Sequence, residues 1–214
     1  LLEPVLEVLA QASVRPTIAI AAGRHRPMTE DEMRQHLGQQ ICSTYPIIQH
    51  DSFDPAAHVD RGRTSRGTPI EVNGAIFEHD LVLAVGIIEP TYLAGFSGSR
   101  KMLMPGMAWH EAIDANHYLI TDPACRVGVL DGNPISEDMQ EFARDMPLDF
   151  IVYSVVGPND EDTAIVAGDR YQAHREGCRL SKQIFRVPGP VADIIISSAG
   201  GYPYDCDLVQ GKKT

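Results

Sequence analysis

The chain has 214 residues, 43% of them hydrophobic and 22% charged, with a formal net charge of −11; these are ordinary values for a globular enzyme with one substantial core or two small ones. The acidity excludes a broad nucleic-acid-binding face, which would be basic, and no run of about 18 apolar residues exists to span a membrane. Cys42, Cys125, Cys178 and Cys206 are scattered without a C-x-x-C pair, a usage that fits reduced thiols in a cytoplasmic protein better than zinc or disulfides.

The first residues, Leu1-Leu2-Glu3-Pro4-Val5-Leu6, lack the basic flank and apolar stretch of a secretory signal. Val5, Leu6, Val8 and Leu9 have helical spacing, which predicts a helix to Ala12. Thr17 to Ala22 reads as a short buried strand ending at Gly23. Thr29 then caps a helix with Glu30, Asp31 and Glu32 in its first turn, and Gly38 stops it. This order places His25 at the carboxyl end of a strand, where open α/β sheets bind ligands. Gln49 to Gly74 is polar and turn-rich, a hairpin-like excursion. Leu81 to Ile88 is the clearest buried strand, and Trp109 to Ile120 has helical spacing and carries His117. Ser136 is expected to open a helix to Arg144, with Ser136 and Asp138 supplying its cap. Phe150 to Val156 reads as a strand and Tyr171 to Gln183 as a helix.

Arg186-Val187-Pro188-Gly189-Pro190 is the most linker-like stretch. After it, Ala192 to Ser198 reads as a new strand running into Gly200-Gly201-Tyr202-Pro203. A boundary near Pro188 divides the chain into residues 1–187 and the start of a second domain, 188–214. Strands alternating with helices predict an α/β, layered, mostly parallel fold.

Chemistry concentrates in Glu89-Pro90-Thr91-Tyr92-Leu93-Ala94-Gly95-Phe96-Ser97-Gly98-Ser99-Arg100-Lys101, directly after the clearest strand. Gly95, Ser97 and Gly98 just before Arg100 and Lys101 suit a phosphate-binding turn, because glycines let backbone N–H groups approach an anion and a cation adds charge. An ordinary glycine-rich surface loop would look the same. Neither the Walker pattern nor G-x-G-x-x-G is present.

Four motifs in order, Gly23-Arg24-His25-Arg26-Pro27-Met28-Thr29, Gly95 to Lys101 with Pro105-Gly106, Asn116-His117, and Gly200-Gly201-Tyr202-Pro203 with Gln210 and Lys213, resemble the nickel-dependent lactate racemase family along essentially the whole chain. The resemblance implies a two-domain α/β/α architecture with the active site between the domains. It implies that Lys101 is joined covalently to a nickel-pincer nucleotide (pyridinium-3-thioamide-5-thiocarboxylic acid mononucleotide), with Gly95, Ser97, Gly98 and Arg100 around the cofactor. His117 would ligate the nickel, since imidazole suits that metal. His25 would be the general base; an imidazole titrating near pH ~6.5 suits reversible proton transfer, and the neighbouring arginines would keep it neutral. Gln210 and Lys213 would hold the substrate's carboxylate or keto oxygen. His36, His50, His58, His79, His110 and His174 match no catalytic motif and read as surface or structural.

One position departs from the family. Ten residues before the tethering lysine those enzymes carry a second histidine, and Thr91 stands there. A hydroxyl is no base near neutral pH without an activator, so Thr91 shifts the expected substrate from lactate towards another hydroxy acid, such as a sugar acid. The expected function is therefore racemisation or epimerisation of a 2-hydroxy acid by proton-coupled hydride transfer, with cofactor-biosynthesis proteins as partners. Two alternatives stand beside it: a non-catalytic family member that binds nucleotide or nickel, and an unrelated phosphate-binding α/β enzyme with Lys101 as a simple anion ligand. The chain also reads as a fragment, lacking the family's upstream Asp-x-Thr-Arg-Pro-type segment and most of its second domain.

Overall fold

The apolar spacing at the start produces α1 (Leu2–Gln11), which buries Leu6. The first apolar run forms β1 (Ile18–Ile20). Next comes α2 (Glu30–Leu37), entered through a reciprocal cap: the Thr29 hydroxyl accepts from the Glu32 N–H, and the Glu32 carboxylate accepts from the Thr29 N–H at 2.8 Å. Gly38, at φ 90°, ends α2 and leads into α3 (Gln39–Thr44) and then β2 (Ile47–Gln49). β2 lies parallel to β1, Ile18 opposite Ile47. Neither α3 nor β2 was expected, because six and three residues are too few to display a period. The computed structural model describes residues 1–157, 161–186, 188, 189, 193 and 194. The Gly200-Gly201-Tyr202-Pro203 motif and most of the strand expected over 192–198 lie outside them.

The polar excursion is a hairpin as expected, β3 (His58–Arg63) antiparallel to β4 (Pro69–Asn73). The clearest apolar run gives β5 (Leu83–Ile88), followed by the two-residue strands β6 (Pro90–Thr91) and β7 (Gly95–Phe96). α4 (His110–Tyr118) carries His117. α5 (Pro134–Phe142) starts two residues before Ser136, and its cap is neither Ser136 nor Asp138. Asn133 accepts from the Ser136 N–H at 3.2 Å, and Pro134 fills the first turn. Asp138 faces the interior instead, where Thr64, Thr68 and Asn116 donate to its carboxylate.

β8 (Phe150–Val156) pairs in parallel with β5, from Leu83 opposite Phe150 to Ile88 opposite Val155. β9 (Asp162–Gly168) adds an antiparallel edge on the far side of β8. Its short apolar run, Ala164 to Ala167, fits either period, so sequence did not reveal it. α6 (Gln172–Phe185) crosses back over this sheet. The α/β class is as expected, with parallel pairs at β1–β2 and β5–β8 and antiparallel ladders elsewhere. Ile88, Ile151, Tyr153 and Val155 on one sheet face meet Met104, Ile135, Met139 and Phe142 in a single buried cluster. Each such side chain contributes about 1.5–3 kcal/mol on burial. Among the described residues no helix is long and apolar enough to cross a membrane.

Two core histidines couple this packing to pH. Burial, reinforced by the nearby charge of His58, lowers His50 to about 4. Burial and then the Arg100 guanidinium lower His174 to about 3. The unfolded chain takes up protons near pH ~6.5 that the folded chain refuses, so stability falls as pH drops below that value. The expected slope is up to about 1.4 kcal/mol per pH unit for each histidine between pH ~6 and ~4. Urea unfolding midpoints across that range, compared with those of His50→Gln, measure it; a midpoint flat from pH ~6.5 to ~4.5 contradicts it.

Candidate active site

The segment Gly95 to Lys101 leaves β7 and turns sharply into a single 3-10 turn, Ser99–Met102. Its glycines are required by packing within the protein. Gly95 sits at φ 78°, and a Cβ there would lie 2.0 Å from the Val129 carbonyl oxygen. Gly98 sits at φ 91°, and a Cβ would press on Ile88 and the Tyr153 ring at 3.0–3.1 Å. The Ser97 hydroxyl donates to the Ile87 carbonyl at 3.0 Å and accepts from the Glu89 N–H at 2.9 Å. Arg100, expected beside the cofactor, is 3% exposed and turned into the core. It donates to the Ala94 carbonyl and the Ser136 hydroxyl at 3.2 and 3.0 Å, and burial lowers it to about 10. These four residues build the turn; Lys101, half-buried, is the cation it presents.

Two other segments dock against that turn. The Gly106 N–H donates to the Lys101 carbonyl at 3.0 Å, and the Gly23 N–H donates to the Gly106 carbonyl at 3.0 Å. This relay of backbone bonds ties the loop after β1, which carries His25, to the turn that carries Lys101. The next residue, Arg24, forms an ion pair with Asp114 on α4. Three positions along the same helix comes His117, with its Nδ1 shut from solvent and making no well-formed hydrogen bond. Burial lowers the His117 pKa most and the positive charge of Lys101 lowers it further, while the Ile113 carbonyl and Asp114 act in the opposite direction. Lys101 and His117 are thus electrostatic neighbours.

His25 itself is exposed, in an open depression of about 640 Å³ shared with Arg26, Met28, Glu32, Gln35 and His36. The two flanking arginines do not present bare charge to it as expected. Arg24 is paired with Asp114, and Arg26 holds Glu32 through two bonds of 2.7 and 2.6 Å. Thr91 lies in β6 opposite Gly95, with its hydroxyl buried and without a hydrogen-bond partner. Gln210 and Lys213 lie outside the described residues. Among the described residues no group of three His, Cys, Asp or Glu side chains could hold a metal ion.

Sequence reading missed what holds α4 in place. The Asp138 carboxylate, fully buried, accepts from Thr64 at 2.5 Å, Thr68 at 2.8 Å and Asn116 at 2.8 Å. It joins the β3–β4 turn, α5 and the residue next to His117. An acid in the first turns of a helix looks like capping chemistry, which is why Asp138 was misplaced; the pairing of Asn116 with His117 was the one available signal. Asp138→Ala takes the shared acceptor from three buried donors, leaving the Thr64 and Thr68 hydroxyls without it and the Asn116 amide with only the Ile135 carbonyl at 3.3 Å. The expected cost is about 3 kcal/mol or more, read from chemical denaturation, and a loss below about 1 kcal/mol would mean that water replaces the carboxylate.

Residues 1–128 match the family described as the lactate racemase N-terminal domain. The chain is similar to the lactate racemase of Lactiplantibacillus plantarum, 38% identical over 218 residues, covering 100% of this chain and 50% of that protein. It is also similar to the lactate racemase of Thermoanaerobacterium thermosaccharolyticum, 37% identical over 203 residues, covering 94% of this chain and 48% of that protein. The solved structure of the lactate racemase apoprotein from T. thermosaccharolyticum superposes with a TM-score of 0.91 at 36% identity, over 97% of this chain and 52% of that one. A Thermotoga maritima protein shares the fold, with a TM-score of 0.72 at 23% identity, over 85% of this chain and 50% of that one. The chain spans about half the length of the curated relatives it matches.

Proposed function

The chain belongs to the lactate racemase family, and from that premise we propose that the full-length protein racemises or epimerises a 2-hydroxy acid at a site built on Lys101, His117 and His25. The observation that carries this reading is the convergence of three separate segments: the loop with His25, the turn with Lys101 and the helix with His117, joined through Gly106 and through Arg24–Asp114.

The residues present fit a nickel-pincer nucleotide. No cluster of protein donors competes for the metal among the described residues, and a cofactor bringing its own carbon and sulfur donors needs only one imidazole from the protein. His117 supplies that imidazole, held neutral by burial and by Lys101, and so available as a ligand. Lys101 supplies the primary amine for the covalent link. When bound, the group would supply a reversible hydride acceptor for the substrate's carbinol carbon. His25 removes and restores the hydroxyl proton, and Arg24 and Arg26, each held by a carboxylate, fix the loop that carries it. Gln210 and Lys213 of the second domain, which begins near residue 188 in this reading, bind the substrate's oxygens when the domains close. The protein works in the cytoplasm alongside the enzymes that make the cofactor.

Thr91 favours a substrate with an additional hydroxyl. Its buried, unpartnered Oγ1 beside the turn is suited to a hydrogen bond rather than to proton abstraction. Thr91→Val should weaken binding about tenfold to a hundredfold, the equivalent of a lost hydrogen bond of about 1–3 kcal/mol, with turnover less affected. Kinetics across a panel of hydroxy and aldonic acids decide it; wild-type racemisation of lactate at the rate of two-histidine relatives removes the case for another substrate.

The primary test is the intact mass of the full-length protein co-expressed with cofactor-making enzymes. A nucleotide adduct mapped to the peptide with Lys101 supports the proposal. Its absence, with phosphate binding retained, favours the alternative of a simple anion site.

A further inference from the structure

His174 reads from the sequence as surface or structural, and the proposed reaction makes no use of it. It lies on α6, 4% exposed, and touches both ends of the turn that presents Lys101. Its Nε2 lies 2.8 Å from the Ser97 carbonyl. A carbonyl can only accept, so Nε2 carries the proton and Nδ1 keeps the lone pair. On the other side of the turn Arg100 Nη1 lies 3.3 Å from Nδ1 and 3.4 Å from Nε2, near-equal distances that set the guanidinium against the face of the imidazole.

The two residues between those contacts are the ones least able to hold their shape alone. Gly98 and Ser99 both have positive φ, 91° and 50°, and for Ser99 that is a sparsely populated conformation. Its hydroxyl donates to the Arg170 carbonyl at 2.7 Å, close to the start of α6. The neighbourhood of α6 therefore grips the turn at Ser97, Ser99 and Arg100, and Lys101 is the next residue. Burial and the Arg100 charge keep the imidazole neutral, which preserves one donor and one acceptor at neutral pH.

We propose that His174 is a positioning residue for Lys101: by bonding Ser97 and packing its ring against Arg100 at once, it locks the left-handed turn that aims the lysine amine. The consequence for catalysis rests on Lys101 being the attachment point proposed above, but the clamp can be tested without the cofactor. In the full-length protein, acetic anhydride labelling followed by peptide mass spectrometry gives the reactivity of Lys101 relative to Lys182, an exposed lysine on α6.

His174→Met removes the bond to Ser97 and the polar contact with Arg100, whereas His174→Gln keeps a donor for Ser97 and an acceptor for the guanidinium. The folded Met variant should label Lys101 faster, approaching the rate of Lys182, and its adduct yield with cofactor should fall about a hundredfold, the scale of a 1 Å misplacement. His174→Gln should restore both readouts towards wild type. Should His174→Met fail to fold, His174→Asn, with a shorter amide, takes its place against His174→Gln. Unchanged Lys101 labelling in a folded Met or Asn variant overturns the clamp, even where the thermal midpoint falls. Failure of wild type to form an adduct, with labelling still sensitive to His174, overturns the cofactor reading and leaves the clamp standing.

Discussion

Lys101→Ala in the full-length protein is expected to abolish the covalent adduct completely and racemisation with it. The side chain is half-buried on a turn whose other groups face inward, and the other lysine among the described residues, Lys182, lies exposed on α6. Lys101→Arg separates the two readings of this position. A guanidinium keeps the charge and still binds an anion, but it is not the primary amine the link needs. A simple phosphate ligand would survive the arginine substitution, whereas a tether would not. His117→Ala, by contrast, should leave the adduct in place and release nickel, seen by metal analysis of the purified protein. An adduct that persists in Lys101→Ala sinks the assignment.

His25→Asn should lower turnover by roughly 10²–10⁴ with the adduct intact, the range for a lost general acid–base group and the equivalent of about 3–5 kcal/mol of barrier. The amide is similar in size and polarity and should leave the loop in place, since that loop is held by Gly23–Gly106, Arg24–Asp114 and Arg26–Glu32 rather than by the imidazole. A control follows from those contacts. Asp114→Asn weakens the grip on Arg24 while sparing His25, so its effect should be smaller and should fall mainly on loop order. Equal losses in the two variants would make His25 a structural residue. Full activity in His25→Asn would move the base elsewhere in the depression, with His36 the first candidate.

Local rules sufficed wherever the physics was local. The capped start of α2 at Thr29, the stop at Gly38 and the apolar runs of β5 and β8 are each determined within a few residues, by hydrogen bonds to the helix end or by burial of a continuous strand. The order of the motifs also named the family, because four spaced matches are hard to produce by chance. What sequence could not determine was the direction of side chains on a turn. Gly95, Gly98 and Arg100 look like an anion cradle when written in a line, yet each faces Val129, Tyr153 or Ser136, and only the packed neighbours select that side. Asp138 could have capped α5; it is buried because Thr64, Thr68 and Asn116, distant in sequence, offer it three donors that water would otherwise have to match. His174 gained its place in the same way, from a helix that crosses the turn more than seventy residues after it. Short-range chemistry determined the elements and the family, while the aim of Lys101 was decided by long-range contacts formed only when the core closes.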